Sequence, residues 1–112
     1  MRLIKKPEGH ADQAPGHTGQ AGLVKLAAGK DTQRLTFIVS HFVPGGGMTK
    51  AAAPAEIIYY CITGKILVKG KEGEFLVEPG DMIFFSPGDE REFTAMGSDP
   101  TTILVVASPN PK

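Results

Sequence analysis

Apolar residues in this chain come in short runs set between turn-forming residues, and no run keeps a helical period. Leu23-Val24-Lys25-Leu26 is the first, and Ala27-Ala28-Gly29-Lys30-Asp31 turns the chain. Arg34 to Val43 (RLTFIVSHFV), β-branched and aromatic, is the second, and Pro44-Gly45-Gly46-Gly47 is expected to stop it. The next runs from Ile57 to Ile62, after which Thr63-Gly64-Lys65 turns into Ile66-Leu67-Val68-Lys69. Gly70-Lys71-Glu72-Gly73 is a tight hairpin signal leading to Glu74-Phe75-Leu76-Val77. Pro79-Gly80-Asp81, Met82 to Phe85, Ser86-Pro87-Gly88, Arg91 to Met96 and Thr102 to Ala107 complete the series. Strands recurring about every ten residues with turns between them predict an all-β chain, a small sandwich or antiparallel barrel.

Ahead of these runs, residues 7–22 (PEGHADQAPGHTGQAG) show neither strand nor helix period and are too polar for a core. They read as an extended or irregular segment. The expected organisation is an N-terminal arm over residues 1–22 and one barrel domain over residues 23–112. A chain of 112 residues buries roughly two-thirds of its unfolded surface, which allows one core and not two.

Charge narrows the partners. Lys and Arg number 12, as do Asp and Glu, so no long-range field recruits nucleic acid or an anionic membrane. The N-terminus lacks the apolar stretch of a secretory signal, and no run approaches the roughly 20 apolar residues of a membrane helix. The single cysteine, Cys61, has no internal disulfide partner. A cytoplasmic protein without nucleic-acid or membrane partners is the expectation.

The turn residues carry a further pattern. Gly45 to Gly64 and Gly80 to Ala95 resemble, in spacing, the two motifs of the cupin superfamily. The first motif runs glycine, five residues, His-x-His, three or four residues, Glu, six residues, glycine. Counted from Gly45, the His positions fall on Ala51 and Ala53, the Glu position on Ile57 and the closing glycine on Gly64. The second runs glycine, five residues, Pro-x-Gly, two residues, His, three residues, Asn. Counted from Gly80, it places Ser86, Gly88, Arg91 and Ala95, with Pro87 displaced by one. The resemblance covers roughly residues 35 to 107 and implies a double-stranded β-helix, an RmlC-like jelly roll, commonly dimeric. The side chains that hold iron, manganese, nickel or zinc in such proteins are here methyl groups, an aliphatic chain and a guanidinium. No cofactor is therefore expected, and the family's metal-dependent chemistry is not carried over.

Strand alternation from Ile57 turns Tyr59 and Cys61 toward the barrel interior. At the second-motif His position Arg91 should also point inward, with Phe93 beside it. A buried guanidinium needs a partner, either an anionic ligand or an internal acid such as Glu56, unless Arg91 bends out to solvent at the barrel mouth. His41 faces inward if Phe37 and Val39 do, and would supply an acid, base or orienting donor or a structural contact. Tyr59 offers a hydroxyl, and Cys61 is a nucleophile or an inert small hydrophobe. The candidate ligand-binding set is thus Arg91, His41, Tyr59, Cys61 and Phe93, with His10 and His17 as exposed histidines open to adventitious metal. The expected function is metal-independent binding of a small organic molecule, an anionic one in the sharper reading, by a homodimer. The alternative is a metal-free isomerase or decarboxylase, and fold alone does not choose between them.

Overall fold

The computed structural model describes residues 1–12 and 16–109. Residues 13–15, within the expected arm, and 110–112, at the end of the expected domain, lie outside it. Nine strands follow one another with no helix among the described residues: β1 (His10–Asp12), β2 (His17–Leu26), β3 (Thr36–Ala52), β4 (Ala55–Thr63), β5 (Ile66–Gly70), β6 (Gly73–Val77), β7 (Met82–Phe85), β8 (Glu90–Ala95) and β9 (Thr101–Pro109). No helix is therefore long and apolar enough to cross a membrane.

All ladders between named strands are antiparallel. The path β6-β5-β8-β3-β9-β4-β7 wraps into a barrel, with β2 against β3 and β1 against β2. The barrel does not close: β6 and β7 are the two ends of the path, and no ladder joins them.

One strand makes the wrapping possible. The glycines after Pro44 were expected to end the second long strand, but β3 runs on through them for 17 residues. Its first half, Thr36–Phe42, pairs with β9 and β2; its second half pairs with β8 and, at Gly47 and Met48, with the start of β2. Gly45 takes φ +84° at the bend, and a Cβ on Gly47 would lie 2.0 Å from the Phe93 carbonyl oxygen. Only glycine lets the backbone approach β8 so closely while it changes sheets. The expected arm likewise carries structure, since β1 and the first part of β2 pair into the sheet. Backbone hydrogen bonds hold these strands, and those leave no apolar alternation in the sequence.

Inward positions build the core. Ile57, Tyr59 and Cys61 of β4, Ile66 and Val68 of β5, Phe85 of β7, Phe93 and Ala95 of β8, Ile103 of β9 and Phe42 of β3 are all buried. At the barrel centre the aromatic rings pack edge to face, with Tyr59 5.0 Å from Phe85 and 5.5 Å from Phe93, and Phe42 5.2 Å from Phe93. His17 stacks on Phe42 at 6.2 Å.

The outer face of the β2-β3-β9-β4-β7 part of the sheet is apolar too. Cross-strand register sets Met82, Tyr60, Leu104, Val39 and Leu23 in one row, from β7 through β4, β9 and β3 to β2. Phe84, Ile58, Val106, Phe37 and Leu26 form the row beside it. Several of these side chains stand well exposed: Met82 at 59%, Phe84 at 51% and Tyr60 at 42%.

Candidate functional site

β8 lies between β5 and the second half of β3, and this register sets Arg91 opposite both Gly70 and Ala51. Arg91 points inward and is only 6% exposed. Its Nη1 donates to the Ala51 carbonyl at 3.1 Å and its Nη2 to the Tyr59 hydroxyl at 3.2 Å. The guanidinium carbon stands 5.2 Å from the Phe85 ring centroid, a cation–π contact. Nε is buried without a hydrogen-bond partner among the described residues.

No carboxylate of the described residues answers this charge. Among the described residues the ion pairs are Lys69 with Glu74 and Lys71 with Glu90. Glu56, the internal acid that the sequence offers, is exposed on β4 and points away as alternation requires.

A cavity of about 330 Å³ opens beside Arg91, in the seam between the unpaired edges β6 and β7. Val68, Phe75, Ile83 and Phe85 give it apolar walls; Lys71, Glu72, Asp89 and Glu90 stand with Arg91 as its charged residues. Two of these carboxylates already have partners: Asp89 Oδ2 accepts from the Ser86 amide at 2.8 Å, and Glu90 pairs with Lys71 at 3.9 Å. Both turns that shape the seam, Lys71-Glu72 and Ser86–Asp89, are visible in the sequence as turns. That they meet beside Arg91 is a product of the register Gly70↔Arg91.

The other candidates are placed as follows. Tyr59 lies under Arg91 and touches it. Burial raises its pKa above the ordinary phenol value, and the neighbouring Arg91 charge and hydrogen bond offset only part of that rise. Phe93 is inward but forms part of the aromatic core. Cys61 is fully buried, its Sγ 3.5 Å from the Thr63 and Gly64 carbonyls. Burial, and then the Asp81 charge, push its pKa up. It is thus a thiol rather than a thiolate nucleophile. Tyr59, Cys61 and Phe93 lie in the packed core, and the open space beside Arg91 lies toward β5, β6 and β7.

His41 departs from its expected place. It is exposed, on the outer face of β3, with Nδ1 2.9 Å from Thr102 Oγ1. Ser40 and Phe42 take the inward positions instead. Phe37 and Val39 do share the face of His41, but that face is the outer apolar one. His41 is not part of the cavity. His10 is exposed on β1, and His17 packs against the core rings.

The four positions where the family resemblance calls for metal ligands do not suit a metal. Ala51, Ala53 and Ile57 have no lone pair to donate, and Arg91 brings a positive charge. No group of three or more His, Cys, Asp or Glu among the described residues could hold an ion.

Comparison with known proteins places this geometry. The fold is similar to that of a predicted oxalate decarboxylase from Thermotoga maritima, with a TM-score of 0.83 and 16% identity over 97% of this chain and 100% of that one. The polyketide cyclase RemF from Streptomyces resistomycificus gives a TM-score of 0.81 and 18% identity over 98% of this chain and 80% of that one. KdgF from Halomonas sp. gives 0.79 and 16% over 100% and 96%. A search of curated protein sequences finds no significant match. At these identities the structural likeness speaks for the fold, and membership comes from the sequence model of the Cupin domain, which matches residues 38–107. The chain belongs to the cupin family.

Proposed function

We propose that this cupin binds a small organic anion in the seam cavity, with Arg91 as the anion's partner and Phe75, Ile83 and Phe85 against its carbon skeleton. One observation carries the reading: a guanidinium, nearly fully buried, has no carboxylate within ion-pair distance among the described residues and forms part of a cavity wall. A charge removed from water without a partner is costly, and an anionic ligand removes that cost. The planar donor fork suits a carboxylate. About 330 Å³ is at the small end of ligand pockets, which fits a compact acid better than a nucleotide-sized molecule.

Binding is favoured over catalysis by what surrounds the cavity. The isomerase or decarboxylase alternative needs a proton carrier. His41 lies outside, while Tyr59 and Cys61 are held protonated by burial. Among the described residues of the cavity, Lys71, Glu72, Asp89 and Glu90 remain for that role, and Glu90 already pairs with Lys71.

The test is calorimetric titration with small carboxylic acids and their neutral amides, on the parent protein and on Arg91→Met. The parent should bind an acid and not its amide, and the variant should lose on the order of 2 kcal/mol or more of that affinity. The variant should also unfold within about 2 kcal/mol of the parent, because it leaves the Ala51 carbonyl and the Tyr59 hydroxyl unanswered but strands no buried carboxylate; loss of an internal ion pair would cost about 3–5 kcal/mol. Equal binding of acid and amide, or a loss of stability on the ion-pair scale, would sink the anion reading.

A further inference from the structure

We infer that the ligand of the seam cavity is a zwitterion, whose carboxylate meets Arg91 and whose ammonium, several carbons away, is received by Asp89 at the mouth. The inference rests on the anion reading and adds a second charge to the ligand.

The charges of the cavity are unevenly placed. Arg91 is buried in its wall, and Nε has no hydrogen-bond partner among the described residues. The other four charged residues lie toward the surface: Lys71, Glu72 and Glu90 are exposed, and Asp89 is half-buried. Three carboxylates against one ammonium leave this rim negative by two charges. A simple organic anion has to pass the rim and stay beside it, and like charges set together cost affinity. An ammonium at the outer end of the ligand turns the same field into attraction.

Asp89 is the carboxylate held best for that contact. Its carbonyl accepts from the Ala53 amide at 2.8 Å, and the Gly88 amide donates to the Ala53 carbonyl at 2.8 Å, so the turn is tied to the chain just beyond β3. Asp89 Oδ2 accepts from the Ser86 amide at 2.8 Å, which leaves Oδ1 for a ligand. Asp89 stands two residues before Arg91, one side-chain repeat along the same face, or roughly 6.6 Å. An extended chain advances roughly 1.2 Å per bond, so an ammonium about five bonds from the carboxyl carbon spans that repeat. An α-ammonium falls short of it. Phe75, Ile83 and Phe85 are the walls for the methylenes between.

A second carboxylate fits the rim less well. Lys71 is the cation that could receive it, but Lys71 already pairs with Glu90 at 3.9 Å, and Glu72 and Asp89 line the same mouth.

Calorimetric titration of the full chain with five-carbon probes tests the inference: pentanoate, 5-aminopentanoate, 2-aminopentanoate, pentanedioate and 1-aminopentane. At low ionic strength 5-aminopentanoate should bind about three- to tenfold more tightly than pentanoate, the scale of a few partly exposed charge pairs. Most of that gap should close in about 0.5 M sodium chloride, because the rim charges are screened. Asp89→Asn keeps an oxygen for the Ser86 amide and removes the charge, so pentanoate should gain affinity while 5-aminopentanoate loses it. Should that variant disturb the turn, Glu72→Gln, on the exposed hairpin, should narrow the gap in the same direction. Pentanoate binding as tightly as 5-aminopentanoate, a preference for pentanedioate or 2-aminopentanoate, or a gap indifferent to salt and to both substitutions would overturn the zwitterion and leave the anion reading standing. Binding of 1-aminopentane as tight as that of 5-aminopentanoate, with none of pentanoate, would instead overturn both.

Discussion

Arg91 illustrates how much a single position can be read and where reading stops. Counting along the second motif is enough to aim it inward, because a turn glycine and a strand period fix its parity. What meets it there is set by chain segments far apart in sequence: the Ala51 carbonyl, the Tyr59 hydroxyl and the Phe85 ring. Tyr59 gives this arrangement a pH signature. Its pKa is raised by burial, with Arg91 pulling it partly back. The folded chain therefore holds the phenol proton more tightly than the unfolded chain, whose value is near 10. Stability from this group is fully present below about pH 10 and is lost as pH climbs from there toward the higher folded value. Tyr59→Phe removes the titration and leaves Arg91 Nη2 without its acceptor. The variant should be less stable than the parent at neutral pH by about 1–3 kcal/mol, with the gap narrowing above pH 10. Urea unfolding at neutral pH and above pH 10 measures this, and a gap that stays constant would remove Tyr59 from the alkaline response.

At the scale of the strands, turns were legible and faces were only partly so. The hairpin at Lys71-Glu72 and the strand boundaries near Gly64, Gly80 and Gly88 follow from turn chemistry, because glycine at positive φ is a local requirement. β4 also gave its inward set correctly, with Ile57, Tyr59 and Cys61 buried and Glu56 outside. β3 did not. Its residues Thr36–Phe42 are apolar on both faces, so alternation has no contrast to read, and assigning Phe37 and Val39 to the interior carried His41 inward with them. The glycines at 45–47 mislead for a related reason, since they mark a turn in an isolated strand but a change of sheet in a wrapped one. Gly47 is the most constrained of them: a Cβ there would sit 2.0 Å from the Phe93 carbonyl oxygen, which is backbone and has no rotamer to move. Gly47→Ala should destabilise the fold by about 3 kcal/mol or more, at the upper end of overpacking effects. Gly29→Ala, at φ +83° with nothing within 4 Å of the added methyl, should cost only backbone strain of about 1 kcal/mol. Urea midpoints at constant slope give the comparison. Equal costs would mean that β3 and β8 do not approach as closely as the ladder requires.

For the molecule as a whole, the interior of the barrel is filled by packed rings around a cation that no carboxylate among the described residues answers. The residue exchange was legible, because motif spacing names the ligand positions and Ala51, Ala53, Ile57 and Arg91 stand in them. The filling of the centre was not. Phe42, Tyr59, Phe85 and Phe93 belong to four strands, and their meeting depends on how the sheet wraps on itself. Electrostatics decides what this interior rejects. Two unit charges about 4 Å apart at an effective dielectric constant of about 20 interact by about 4 kcal/mol, and a divalent ion near Arg91 doubles that as repulsion. With no lone pair at the three other positions, nothing offsets the lost hydration. The chelator-washed protein should therefore hold far less than one equivalent of iron, manganese, nickel or zinc by elemental analysis. Replacing His10 and His17, which lie outside the family's ligand positions, should abolish whatever trace remains. A full equivalent of any of these metals surviving both chelation and those replacements would mean that donors outside the family's four positions build a centre, and the reading of Arg91 as an anion partner would need to be replaced by one in which it faces a metal-bound ligand.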